Sequence, residues 1–250
     1  METQAFFLAR NTGAGSPNAI APGIGGPSAR DVYTYGTQIK SQPGAFSGWD
    51  FAFEGAGQFG SVLGGGLRRD LQSFALTGSA GYTVESTGFK PRFSLGYDYA
   101  SGDSDATDDQ QETFEPQFGT NHSFYGVAEL VGLRNLSSPR VSLSAKPVKG
   151  LTVSADYLHF WLADTHDAFY PESSAARSSN GYGKDPSLSR FVGSELDLLA
   201  KYQINSLLEV QLGYAHFFAG GYIKESVAKV PANGGATDAD WFYLQMTLNF

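Results

Sequence analysis

The stretch "DADWFYLQMTLNF" at residues 238–250 alternates large apolar side chains with polar ones. Phe242, Leu244, Met246, Leu248 and Phe250 fall on one parity, and Tyr243, Gln245, Thr247 and Asn249 on the other. Successive side chains of an extended chain point to opposite faces, so a period of two specifies a strand with one apolar and one polar face. The pattern recurs along the chain. "DVYTYGTQI" sets Tyr33, Tyr35 and Ile39 together, and "GWDFAFEGAGQF" sets Trp49, Phe51, Phe53 and Phe59 opposite Asp50, Glu54 and Gln58. "SFALTGSAGYTV" carries Phe74, Leu76, Tyr82 and Val84, while "PRFSLGYDYA" places Phe93, Leu95, Tyr97 and Tyr99 against Arg92, Ser94, Gly96 and Asp98. "RVSLSAK", "LTVSADYLHFW", "GSELDLLAKY" and "LEVQLGYAHFF" continue it, and a less regular strand near 3–10 brings the expected number to ten.

The connections alternate as well. Short turns are expected at 41–48, 85–89, 147–150 and 204–206, and long loops rich in Gly, Ser and Asp at 11–29, 101–138, 163–190 and 220–239, with a shorter one at 60–70. Tight turns at one rim and long loops at the other are the asymmetry of an outer-membrane barrel. If the last strand ends at the periplasm, ten strands put every long loop outside. The expected fold is therefore all-β, an antiparallel up-and-down transmembrane β-barrel. A soluble β-sandwich also alternates; the one-sided loops, the strand lengths and the terminal aromatic argue against it.

No stretch approaches the roughly 20 consecutive apolar residues of a membrane-spanning helix. The mean hydropathy of -0.23 is what alternating faces produce, since polar and apolar positions average out. A net charge of -8 argues against a nucleic-acid partner, which would need a basic surface. With no cysteine the chain has neither disulfides nor thiolate chemistry. The start "METQAFFLAR" lacks the basic and apolar regions of an export signal, so a mature, truncated or fragmentary chain is expected. One segment, "HSFYGVAELVGLRN" at 122–135, would break the up-down order as a strand. Its apolar spacing reads as a short helix or folded loop tucked into the lumen.

The ordered set "FKPRFSLGYDYASGD", "TNHSFYGVAELVGLRN", "LTVSADYLHFWLADTHDAFY", "VGSELDLLAKYQIN", "GYAHFFAGGYIKE" and the closing "DADWFYLQMTLNF" resembles the C-terminal part of the alginate export family, over residues 81–250. The resemblance implies a porin-like channel in the outer membrane of a Gram-negative bacterium, with barrels of about eighteen strands in the family. It also implies that the last strand, with Phe242, Leu244, Met246, Leu248 and Phe250, is read by the outer-membrane assembly machinery. Ten strands are too few for such a barrel, so residues 1–250 are expected to be one β-barrel domain that is the C-terminal portion of a longer one. The other option is a narrower barrel closed on itself.

Family members carry a polyuronate, and an anion leaving water must meet fixed positive charge, preferably the planar fork of arginine. The bases expected to line the lumen are Arg92, Arg140, Lys146 and Lys201, with Arg134 on the tucked segment as a constriction residue. The acids on the same face include Asp98, Asp50, Glu54, Asp156, Glu195, Asp197 and Glu209. These charges either brace the wall by pairing across strands or form a basic track in which Arg92 and Arg140 are held by acids. Partners are expected to be outer-membrane lipid and an anionic polysaccharide; no cofactor is expected. The acidic run "GDSDATDD" lacks the full ligand pattern of a calcium loop and reads as solvated. The rival from another class is a barrel enzyme using Asp164, His166 and Asp167, with His122 and His216 at other rim positions. A third reading is a structural or adhesive barrel that conducts nothing.

Overall fold

The computed structural model describes residues 1–13, 29–64, 67–117, 125–171, 176–179, 181–235 and 238–249. Its elements are β1 (Glu2–Thr12), β2 (Arg30–Lys40), β3 (Trp49–Gly64), β4 (Leu67–Thr83), β5 (Arg92–Ala100), β6 (Gln110–Gln111), β7 (Leu136–Ala145), β8 (Leu151–Leu162), β9 (Phe191–Gln203), β10 (Leu208–Ala219), α1 (Gly221–Ala228) and β11 (Ala239–Leu248). The ten long strands form one antiparallel sheet in chain order, and only the two-residue β6 leaves that path, pairing parallel to β4. This is the up-and-down topology of a β-barrel. The sheet is open: β1 and β11 lie at opposite edges and do not pair with each other. No helix among the described residues is long and apolar enough to cross a membrane, which leaves strands as the possible spanning elements.

Alternation sorts the side chains onto two chemically different faces. Along β5, Leu95 is 54% exposed while Ser94 is 6% and Asp98 3% exposed. The apolar face carries Phe53, Phe74, Tyr82, Leu143, Leu198 and Leu244, all open at the surface. Aromatic rings on it stack across strands, as in Tyr33 against Phe59 at 5.2 Å and Phe74 against Tyr99 at 5.4 Å. The polar face is covered at one end by the long loops. Leu158, Phe160, Val192 and Phe217 of the wall pack there against Phe114, Tyr125, Val131, Phe169 and Tyr222. The molecule's dry core therefore lies on the polar face of the sheet, between wall and loops, at the long-loop end.

Of three local expectations, two are corrected and one is resolved between its alternatives. Residues 60–70 are not a loop: β3 and β4 stay in register from Gly60 opposite Leu71 to Gly64 opposite Leu67. The glycines at 64–66 read as a loop, but the strands continue on both sides, with Val62 and Leu71 buried against the rest of the molecule. Gly60 is required by sterics, since a Cβ there would stand 1.8 Å from the Asp31 carbonyl oxygen. Secondly, the described part of the tucked segment, 125–135, takes the folded-loop alternative and not the helical one, with Glu129 and Asn135 in the left-handed region. Its burial is as expected, with Val131 and Asn135 almost fully enclosed. Thirdly, α1 forms inside what reads as a loop, anchored by the fully buried Tyr222 and by Glu225, which accepts the Ser189 N–H at 2.6 Å.

Candidate transport surface

The polar face carries its charges in pairs. Arg92, at the start of β5, reaches across β4 to Asp50 on β3 and donates from Nε at 3.0 Å and from Nη2 at 2.6 Å, while its Nη1 donates to Ser94 at 2.9 Å. Register explains the reach. Asp50 stands opposite Gly81, and Gly81 opposite Ser94, so the residue between the pair has no side chain to block it. A Cβ at Gly81 would lie 2.2 Å from Arg92 Nη2. The device repeats one strand along: Arg140 of β7 lies across Gly96 of β5, with Nε 3.3 Å from where a Cβ would be. Arg140 also acts electrostatically on the buried Asp98, whose Oδ2 makes no hydrogen bond. Two-pronged guanidinium–carboxylate pairing fixes the plane of the fork and leaves its outer edge to an incoming anion.

Nearer the long loops a second cluster gathers around one carboxylate. Glu115, on the segment after β6, receives Arg10 of β1 at 3.1 Å, Arg30 of β2, and Arg134 at 3.5 Å. Gln58 holds Glu115 in place, accepting its backbone N–H at 2.9 Å and donating to its carbonyl at 2.6 Å, and Ser73 and Thr34 hold Gln58. Arg134 also lies over the Tyr170 ring at 5.6 Å. Burial pulls the Arg134 guanidinium below its ordinary pKa, opposed by Glu115, and pushes the Tyr170 phenol up. The arginines outnumber the acid at the point where loops meet wall.

The remaining candidate residues lie apart. Lys146 follows the end of β7, so it sits on a short turn, exposed, rather than on the strand wall where sequence put it. Lys201 pairs with Glu209 at 2.9 Å near the short-turn end. Glu195 and Asp197 of β9 are buried and accept the backbone N–H groups of Ala128 at 2.9 Å and Val127 at 3.1 Å, which docks the tucked loop onto the wall. His166 does meet Asp164, at 2.9 Å. Asp167 belongs to a different network: it is fully buried and holds Thr113 at 2.5 Å, Tyr170 at 3.0 Å and Lys184 at 3.3 Å. Within the acidic run Asp105 accepts from Thr107 and Asp108 from the Gln110 N–H, while Asp103 pairs with Lys184 of the next long loop at 3.4 Å. His122 and Phe250 lie outside the described residues.

A polar wall of arginines set by acids, on a sheet whose other face is apolar, is the surface a channel for anions needs. The family model described as alginate export matches residues 5–235. The chain belongs to the alginate export family. The match reaches back through β1 to β4, well before residue 81 where the sequence resemblance begins, and it stops before β11. Alginate export proteins are a transport family of the Gram-negative outer membrane, and a polysaccharide is the substrate class they imply. No curated protein matches the chain.

Sequence reasoning missed Arg10, Arg30 and Glu115. Parity could have found the arginines, because Arg10 and Arg30 alternate with the exposed Phe7 and with Tyr33. No periodicity could have found Glu115, which arrives on a loop 85 residues from Arg30.

Proposed function

We propose that this chain forms the wall of an outer-membrane channel that exports an anionic polysaccharide such as alginate. The observation that carries the reading is the setting of five arginines by three acids on the loop-covered polar face, Arg92 by Asp50, Arg140 beside Asp98 and Arg10, Arg30 and Arg134 around Glu115, opposite a face of exposed apolar and aromatic side chains. Lipid meets Leu95, Leu143 and Leu244; the polymer meets the Arg92–Asp50 pair, Arg140 beside Asp98, and the Arg10–Arg30–Arg134 cluster around Glu115. A uronate carboxylate passing the arginines exchanges water for charged donors and is released again because each guanidinium also has a protein acid to return to.

In this reading the ten strands are a sector of a larger barrel. Backbone groups along the edges β1 and β11 would each cost several kcal/mol if left unpaired in hydrocarbon, so further strands cover them. The alternating residues Phe242, Leu244, Met246 and Leu248 present a lipid face and, with Phe250, a signal for the assembly machinery.

Planar-bilayer recording of the refolded protein tests the proposal. A steady anion-selective current that alginate blocks supports it. A silent membrane, or a current indifferent to alginate, rejects it.

A further inference from the structure

The short-turn rim holds a charged groove that no strand pattern announces. Turn 84–91, between β4 and β5, and turn 146–150, between β7 and β8, lie side by side, joined by the Lys146 N–H donating to the Phe89 carbonyl at 2.8 Å. They enclose a groove of about 760 Å³ lined by Phe89, Lys90, Lys146, Val148, Lys149 and Thr152. Its lysines outnumber its acid: Glu85 pairs with Lys90 at 2.7 Å, while Lys146 and Lys149 make no ion pair among the described residues. Lys201 stands next along the rim, opposite Thr152, paired to Glu209.

Two features mark the groove as more than a solvated turn. Lys90 sits at φ 40°, in the left-handed region where glycine or asparagine is easier, so the backbone carries strain to hold a lysine there. Phe89 and Val148 are 50% and 59% exposed beside it, offering apolar ground for a sugar ring next to cations for its carboxylate. The opposite rim has the opposite sign. Segment 101–135 alone contains seven acids against Arg134. The molecule is thus polarised along its strands, positive at the short turns and negative at the long loops.

We propose that the groove between these turns is a loading site for the uronate carboxylates of the polymer, an inference that rests on the channel reading above. Lys146 and Lys149 capture the polyanion, Lys90 presents a third cation, and the paired arginines of the wall receive it next. Lysine suits this task because its ammonium is a strongly hydrated point charge on a flexible stem, which attracts a passing polymer without fixing its orientation.

Binding of end-labelled alginate oligosaccharide to the full chain in detergent micelles, followed by fluorescence anisotropy across a salt series, tests the site. Lys146→Glu with Lys149→Glu should weaken binding about tenfold or more at low salt and flatten its salt dependence, because fewer counterions are displaced. Lys146→Gln with Lys149→Gln should give a smaller loss in the same direction, and Lys224→Glu with Lys229→Glu, at the long-loop side, should leave affinity unchanged. Wild-type binding that the turn variants do not alter overturns the loading site alone. Failure of the wild-type chain to bind alginate overturns the channel reading as well. If the variants lose only their attachment to phosphatidylglycerol nanodiscs, with alginate affinity intact, the lysines serve the lipid surface and the inference is wrong.

Discussion

Arg92 and Asp50 are joined across an intervening strand, over the bare backbone of Gly81, by two hydrogen bonds of 3.0 and 2.6 Å. A cation and an acid two strands apart are thereby locked into one plane of the wall, and the gap that permits it is a missing side chain. Replacing Gly81 by valine should push the guanidinium off its partner. Asp50 is nearly enclosed, so the expected cost is about 1–3 kcal/mol in unfolding free energy, below the full penalty of a wholly buried pair. Urea unfolding in lipid vesicles reads the loss. Gly81→Val in an Asp50→Asn, Arg92→Gln background should cost clearly less, because the pair is already gone.

Glu115 is the shared anchor of Arg10, Arg30 and Arg134. Changing it to glutamine removes the carboxylate that the three arginines share and should loosen the docking of segment 101–117 by about 2–4 kcal/mol. The same change should make the pathway more attractive to anions. Reversal potentials in a salt gradient should move toward the chloride equilibrium potential, and trypsin should cut segment 101–117 faster.

Asp103 gives the loop layer a pH dependence with a definite sign. Burial raises its carboxyl above the ordinary range, with the nearby Asp167 adding to the effect and Lys184 opposing it. A raised folded-state value means the folded loop holds the proton better than the unfolded chain. The stabilisation is therefore full below the ordinary carboxylate range and is lost as pH rises through the folded value. Protease nicking of segment 101–117 should accelerate across that window, and Asp103→Asn should abolish the dependence.

How far the sequence can be read follows from what each residue answers to. Phe93, Leu95 and Tyr97 against Ser94 and Asp98 are legible because a strand's two faces obey a period fixed by backbone geometry alone. The same logic carries over to nine further long strands and to the placing of Arg92, Arg140 and Asp98 on the polar face. It fails where tertiary contact decides. Gly64, Gly65 and Gly66 signal a turn but not that the strands run to its edge. The eight residues of α1 are too few for a helical period to stand out. Lys146 has the right parity, yet β7 ends one residue earlier, so parity no longer assigns it to a face.

The two faces should differ sharply in their tolerance of charge. Leu95→Arg puts a cation at mid-strand on the apolar face and should cost about 2–4 kcal/mol in vesicles. Thr77→Arg puts one on the polar face, in register between Glu54 and Asp98, and should cost under about 1 kcal/mol because acids await it. Equal costs would mean that both faces see the same medium.

The chain contains no cysteine, so single cysteines can be introduced one at a time along β5 and spin-labelled in liposomes. Collision rates with oxygen, which concentrates in hydrocarbon, should peak for labels at Phe93→Cys, Leu95→Cys and Tyr97→Cys and fall for those at Ser94→Cys, Gly96→Cys and Asp98→Cys. Oxygen accessibility that is flat along the strand, or highest at Ser94, Gly96 and Asp98, would show that the apolar face does not meet lipid and that the wall is not a membrane wall.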